Sequence, residues 1–177
     1  MKKLRLATVW LDGCSGCHMS FLDIDDRLLA LYEKVDLVYS PLVDLKEFPD
    51  EVDVTLIEGA VSTDEDEAKI KKVRAHTKVL VSLGDCAVTA NVPSMRNAFK
   101  LDDLYAMAYL RDDLLNPEIP TEGLPRLLPT VRPVHAVVKV DVFVPGCPPH
   151  ADTIFYVLSE LLENRQPDLQ KITHFGA

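Results

Sequence analysis

The chain is short of positive charge. Its 19 Lys and Arg stand against 28 Asp and Glu, giving a formal net charge of −9 at pH 7. Nucleic acids and anionic lipid surfaces call for faces rich in Lys and Arg, so neither is an expected partner. Long apolar runs are also missing: no stretch approaches the roughly 20 residues that a spanning helix needs. The opening "MKKLRLATVWLDG" has two lysines and a short apolar run, but Arg5 interrupts the run and no A-x-A-like cleavage site follows. It reads as a first strand, and the expected location is the cytoplasm. No repeat or low-complexity segment occurs, and 177 residues suit a single core. Cysteine is scarce as well, with four in the whole chain.

What is present is a series of short apolar runs that stop at glycine or proline. "LRLATVWL" (4–11) ends at Asp12-Gly13, "VDLVYSPLV" (35–43) is stopped by Pro41, and "DVTLIEGA" (53–60) is ended by Gly59. "KVLVSLGDCA" (78–87) is ended by Gly84, and "VVKVDVFVPGCPP" (137–149) by Pro145-Gly146. Helical patterns separate them. One covers 18–33, with Phe21, Leu22, Leu28, Leu29 and Tyr32 on its apolar face. A second covers 64–76, with Thr63 as N-cap and Asp66 in the capping-box position. A third covers 150–164, carrying Ile154, Val157, Leu158, Leu161 and Leu162. Continuous apolar strands alternating with helices predict a parallel sheet covered on both faces. The expected fold is α/β: a single flavodoxin-like, doubly wound, three-layer α/β/α domain over 1–177, with strand order 2-1-3-4-5. Residues 91–136 depart from this pattern. They hold six of the twelve prolines around one helical stretch, "LDDLYAMAYLRDDLL". A long, proline-stiffened connection is usually functional, and this one is expected to pack on a partner subunit.

The four cysteines are Cys14, Cys17, Cys86 and Cys147. On the strand map two follow the first strand, one the fourth and one the fifth, and in an open α/β sheet those carboxyl ends share one edge. Two disulfides would be rare in a cytosolic chain of this size. Idle buried thiols would not be expected all to stand at strand ends beside glycines. Structural zinc takes four thiolates and suits C-x2-C, although small zinc modules usually bring two such knuckles. A [4Fe–4S] cluster also takes four thiolates, and the ferredoxin run ends in a cysteine followed by proline, as Cys147 is by Pro148. Gly13, Gly16, Gly84 and Gly146 would let backbone N–H groups approach the sulfurs. The cluster is the preferred reading, with zinc and reactive thiols still open on chemistry alone.

"GCSGCHMSFLD" (13–23), "IEGAV" (57–61), "LGDCA" (83–87) and "PGCPP" (145–149) together resemble the small subunit of [NiFe]-hydrogenases. They are similar, more distantly, to the 20-kDa-type cluster subunit of respiratory complex I. The resemblance covers the first 90 and last 40 residues well and the proline-rich middle loosely. It implies one [4Fe–4S] cluster on Cys14, Cys17, Cys86 and Cys147, near the Ni–Fe centre of a large partner subunit. The complex I subunit is expected to carry adjacent cysteines where this chain has C-x2-C. Periplasmic and membrane-bound uptake enzymes are expected to have a twin-arginine signal and a cysteine-rich C-terminal domain, neither of which is in this sequence. "CSGCH" is most similar to the cytoplasmic bidirectional branch. There the partners are diaphorase subunits carrying iron–sulfur clusters, FMN and the NAD(P) site. The implied role is electron transfer without bond chemistry in this chain. The alternatives are a membrane-bound ferredoxin-linked hydrogenase or complex I-like subunit, and a zinc-stabilised module.

Among the remaining residues, Glu58 ends the third strand on the cysteine rim and could relay protons, hydrogen-bond a partner or simply cap. His18 is read as a helix-start residue or a donor towards the cluster. Asp85 is read as a helix N-cap, His135 and His150 as structural, and Trp10 and Met19 as core. The loop after the first strand is committed to cysteines, so FMN is not expected in this chain.

Overall fold

The computed structural model describes residues 3–170, 172 and 173. Five parallel strands form one sheet: β1 (Leu4–Trp10), β2 (Val35–Tyr39), β3 (Val52–Glu58), β5 (Thr77–Leu83) and β7 (Val142–Val144), in the order β2-β1-β3-β5-β7. Counted along the sheet, this is the expected 2-1-3-4-5. Helices α1 (Gly16–Leu22), α2 (Arg27–Lys34) and α6 (Ala151–Leu162) cover one face, where Phe21, Leu31, Ile154 and Leu158 pack on Leu6, Leu56 and Val81. Helices α3 (Asp64–Ala75) and α4 (Asp85–Thr89) cover the other, through Ile70, Val73 and Ala87 against Val9, Ile57 and Leu80. Strands buried on both faces need apolar residues at successive positions, which is why these runs do not alternate.

Three local expectations are corrected. The helix expected over 18–33 is two helices, because Asp25 adopts φ 59° and breaks the ladder between them. Leu29 and Tyr32 are consequently exposed, and Ile24 and Leu31 take the buried places. The fifth strand is only three residues long, and a short 3-10 turn (Val134–Ala136) precedes it. The 91–136 segment contains more order than one helix. A 3-10 turn (Val92–Ala98) and α5 (Leu101–Tyr109) are followed by β6 (Leu127–Arg132), which pairs antiparallel with β4 (Val61–Thr63).

The start of α3 is built as expected. Thr63 Oγ1 accepts from the Asp66 N–H at 3.0 Å, and Asp66 Oδ2 accepts from the Thr63 N–H at 3.0 Å. Thr63→Ala should therefore cost about 1 kcal/mol of stability in a urea unfolding experiment.

Candidate metal centre

The cysteines come together at the carboxyl edge of the sheet. Cys14 and Cys17 lie on the turn from β1 into α1, Cys86 in the first turn of α4 after β5, and Cys147 on the loop after β7. All four line one cavity of about 90 Å³, together with Gly13, Gly16, Glu58, Gly59, Asp85 and Gly146. Backbone clasps join the loops that form it. Leu11 N–H donates to the Glu58 carbonyl at 3.0 Å, and Asp12 and Ala60 exchange a pair of bonds at 3.1 and 2.7 Å. Across the cavity the Asp85 N–H donates to the Gly146 carbonyl at 2.9 Å, while Asp85 Oδ1 accepts from the Gly146 N–H at 2.7 Å. The Ser20 hydroxyl ties α1 to the third loop by donating to the Pro149 carbonyl.

Asp85 thus differs from the expectation. Gly84 is the N-cap of α4, and buried Asp85 stands inside the first turn, clasping the Cys86 loop to the Cys147 loop. Gly84 has a specific steric reason. Its φ of 83° and ψ of 160° lie in a region that is essentially glycine's alone, and a Cβ there would stand 2.2 Å from Cys17 Sγ. The first turn of α4 and the second cysteine therefore approach one another only across a bare backbone.

Burial, followed by the Glu58 carboxylate and the other three cysteines, pushes the Cys17 thiol well above its ordinary range. Cys86 is raised too, chiefly by burial, against a lowering hydrogen bond from the Val92 backbone. A set of thiolates gathered in this way is unfavourable without a cationic core to neutralise it. Among the described residues, no three His, Cys, Asp or Glu side chains are gathered closely enough to hold a metal ion. Zinc ligated by four sulfurs would need each at about 2.3 Å. The cavity of about 90 Å³ has room for a group larger than one water-sized sphere, and four thiolates are the donor set that an iron–sulfur cluster takes.

At the wall of the cavity lies a pairing that sequence reasoning missed. Glu58, 2% exposed, accepts from the His18 N–H at 2.8 Å through Oε2, which is also 3.0 Å from His18 Nδ1. His18 faces this carboxylate. Glu58 Oε1 and His18 Nε2 are buried without a hydrogen-bond partner. Forty positions separate the two residues, and nothing in the linear pattern couples them beyond their shared edge. His150 caps α6, its Nδ1 accepting from the Asp152 N–H at 3.3 Å, and His135 packs edge-on against Phe143. Trp10 and Met19 are not core residues: they are 46% and 57% exposed, on the elements that flank the first cysteine pair. Cys14 and Cys147 are exposed as well.

The family profile described as NADH ubiquinone oxidoreductase, 20 Kd subunit, matches residues 14–161, and the chain belongs to that family. Within it, the chain is 44% identical over 172 residues to the NAD-reducing hydrogenase HoxS subunit delta of Cupriavidus necator, covering 94% of this chain and 82% of that one. It is 38% identical over 174 residues to a subunit of the F420-non-reducing hydrogenase of Methanothermobacter marburgensis. That alignment covers 95% of this chain but 56% of the relative, so the chain spans little more than half of it. A chain in the crystal structure of an NAD+-reducing [NiFe]-hydrogenase in the H2-reduced state superposes with a TM-score of 0.93 at 40% identity, covering 98% of this chain and 99% of that one. A [NiFeSe]-hydrogenase chain from Dm. baculatum, with a TM-score of 0.61 at 20% identity, shares the fold. No helix among the described residues is long and apolar enough to cross a membrane.

Proposed function

We propose that this chain is the electron-transfer small subunit of a cytoplasmic NAD(P)-reducing [NiFe]-hydrogenase, and that Cys14, Cys17, Cys86 and Cys147 hold one [4Fe–4S] cluster. The observation that carries this reading is the convergence of the four cysteines on one cavity, in a chain 44% identical to a subunit of an NAD-reducing hydrogenase. When bound, such a cluster supplies a one-electron couple. The rest falls to this chain's own residues. Two sulfurs come from the β1 turn and one each from the loops after β5 and β7, so three rigid strand ends set their spacing. Asp85 holds two of those loops together, and Glu58 anchors the start of α1 through His18. No side chain here is assigned to hydrogen activation, which belongs to the Ni–Fe centre of the large subunit. The diaphorase partners carry iron–sulfur clusters, FMN and the NAD(P) site.

The exposed residues Cys14 and Cys147, with Trp10 and Met19 on the elements that flank the first pair, support a covering subunit at this edge. The 91–136 insertion extends that surface. Helix α5 is apolar on balance yet buries none of its residues, and Met95, Phe99 and Met107 are all more than 60% exposed. Isolated apolar residues on a surface need no explanation, but an apolar helix with only Leu101, Leu104 and Tyr105 half-buried and the rest exposed calls for a partner, and the large subunit is assigned to it. Glu58 is retained as a candidate proton relay on the same edge.

The test is a metal count and EPR on the full chain, purified anaerobically, with identification of the subunits that co-purify from the native host. The expected result is about four irons and four acid-labile sulfides per chain, a reduced-state signal and NAD(P)- and flavin-binding partners. Two irons or fewer, or stoichiometric zinc, would sink the assignment. Membrane-spanning partners would favour the ferredoxin-linked alternative.

A further inference from the structure

The cysteine sulfurs are not all treated alike by their surroundings. Cys14 Sγ accepts from the Gly16 backbone N–H at 3.4 Å, a bond made within its own turn. Cys147 Sγ accepts from the side-chain amide of Asn91, Nδ2 at 3.8 Å, across 56 positions of sequence. Among the described residues this is the one side-chain hydrogen bond to a cysteine sulfur.

The backbone is arranged to deliver it. Helix α4, which carries Cys86, ends on Ala90 with φ 63°, in the left-handed region that alanine seldom visits. This turns the chain so that Asn91 faces the Cys147 loop. The following turn is pinned three times. Ser94 Oγ donates to the Asn91 carbonyl at 2.8 Å, and Arg96 Nη2 donates to the carbonyls of Ser62 and Leu128 at 3.0 Å each. Asn97 exchanges two bonds with Val131, at 2.9 and 2.8 Å. The anchors lie on β4, on β6 and at the start of the insertion, so a neutral amide donor is held beside one sulfur by structure remote from the site.

We propose that Asn91 is a positioning residue that raises the reduction potential of the group bound at these cysteines, by donating a hydrogen bond to Cys147 Sγ. This rests on the cluster assignment above. Reduction adds negative charge to a cluster and its thiolates, and an N–H donor aimed at a ligand sulfur stabilises the more negative state. Removing the donor therefore makes reduction harder, and replacing it with a carboxylate makes it harder still.

The experiment is an EPR-monitored redox titration of this chain in complex with its large subunit, for the wild type, Asn91→Leu and Asn91→Asp. The expected result is a cluster signal retained in both variants, with the midpoint shifted to lower potential in Asn91→Leu and further in Asn91→Asp. A midpoint unmoved or raised in Asn91→Leu overturns the proposal. Loss of the signal from both variants overturns it too, since Asn91 would then be needed for assembly rather than for potential. Failure of the cluster assignment is a separate outcome, read from a wild-type chain without iron or signal.

Discussion

Gly84→Ala should empty the metal centre while leaving most of the sheet intact. The added Cβ would stand 2.2 Å from Cys17 Sγ, 3.5 Å from the Gly146 carbonyl oxygen and 3.6 Å from Pro149 Cδ. The first of these is far inside van der Waals contact, and the sulfur is not the free end of a flexible chain once it is a ligand. The backbone conformation adds its own cost, since φ 83° with ψ 160° is disfavoured for any residue with a Cβ. Strain and overpacking at about 1–3 kcal/mol each give a total of about 2–6 kcal/mol, concentrated where three loops meet. Displacing Cys17 or opening the clasp between Asp85 and Gly146 would relieve it, and either move separates the sulfurs. The measurement is iron per chain with thermal unfolding. Less than a fifth of wild-type iron is expected, with a lowered Tm. Gly123→Ala is the control. It carries φ 70°, but a Cβ there meets nothing within 4 Å, so it should lose about 1 kcal/mol and no iron. Equal iron in the two variants would mean that the approach of Gly84 to Cys17 is not what shapes the site.

The strand order and the convergence of the cysteines were legible because both follow from local signals. Apolar runs that end in glycine mark the carboxyl ends of parallel strands, and the topology then puts those ends on one edge. The β4–β6 pair was not legible. "LLPTVR" contains Pro129 and stands after seventeen residues without regular structure, and its partner β4 is only three residues long. Such short strands are set by tertiary contacts, here Arg96 donating to the Ser62 and Leu128 carbonyls and Asn97 paired with Val131. Trp10 and Met19 show a different limit. Hydropathy registers that a side chain avoids water, not whether its own chain or a second subunit covers it, so it does not separate rim residues from core. The break in the first helix depends on one residue in the left-handed region, Asp25, a conformation that Asp tolerates but does not announce. The pairings of His18 with Glu58 and of Asn91 with Cys147 are tertiary. Neither has a periodic or motif-level trace, and both emerge only once the strand ends are in place.

Glu58 is where the second large effect should fall, and two substitutions separate its possible roles. Glu58→Leu removes the acceptor for the His18 N–H and leaves Nδ1 facing an apolar group, both inside the protein. An unsatisfied buried donor costs about 1–3 kcal/mol, and more where the lost partner was a carboxylate. A loss of about 2–4 kcal/mol is therefore expected in urea unfolding, with the start of α1 loosened and iron retained poorly. Glu58→Gln keeps an acceptor oxygen and the shape of the side chain, so its stability cost should be about 1 kcal/mol, with iron retained. Its informative effect is on charge. The Glu58 carboxylate is the strongest charged influence on Cys17, ahead of the other cysteines, and its removal should move the cluster midpoint upward, opposite to the shift expected for Asn91→Leu. If Glu58 also relays protons, Glu58→Gln should slow hydrogen–deuterium exchange by the intact hydrogenase. Unchanged exchange together with a raised midpoint would leave Glu58 with an electrostatic and anchoring role alone. A midpoint that does not move at all would mean that the charge on this buried oxygen pair is not felt at the sulfurs.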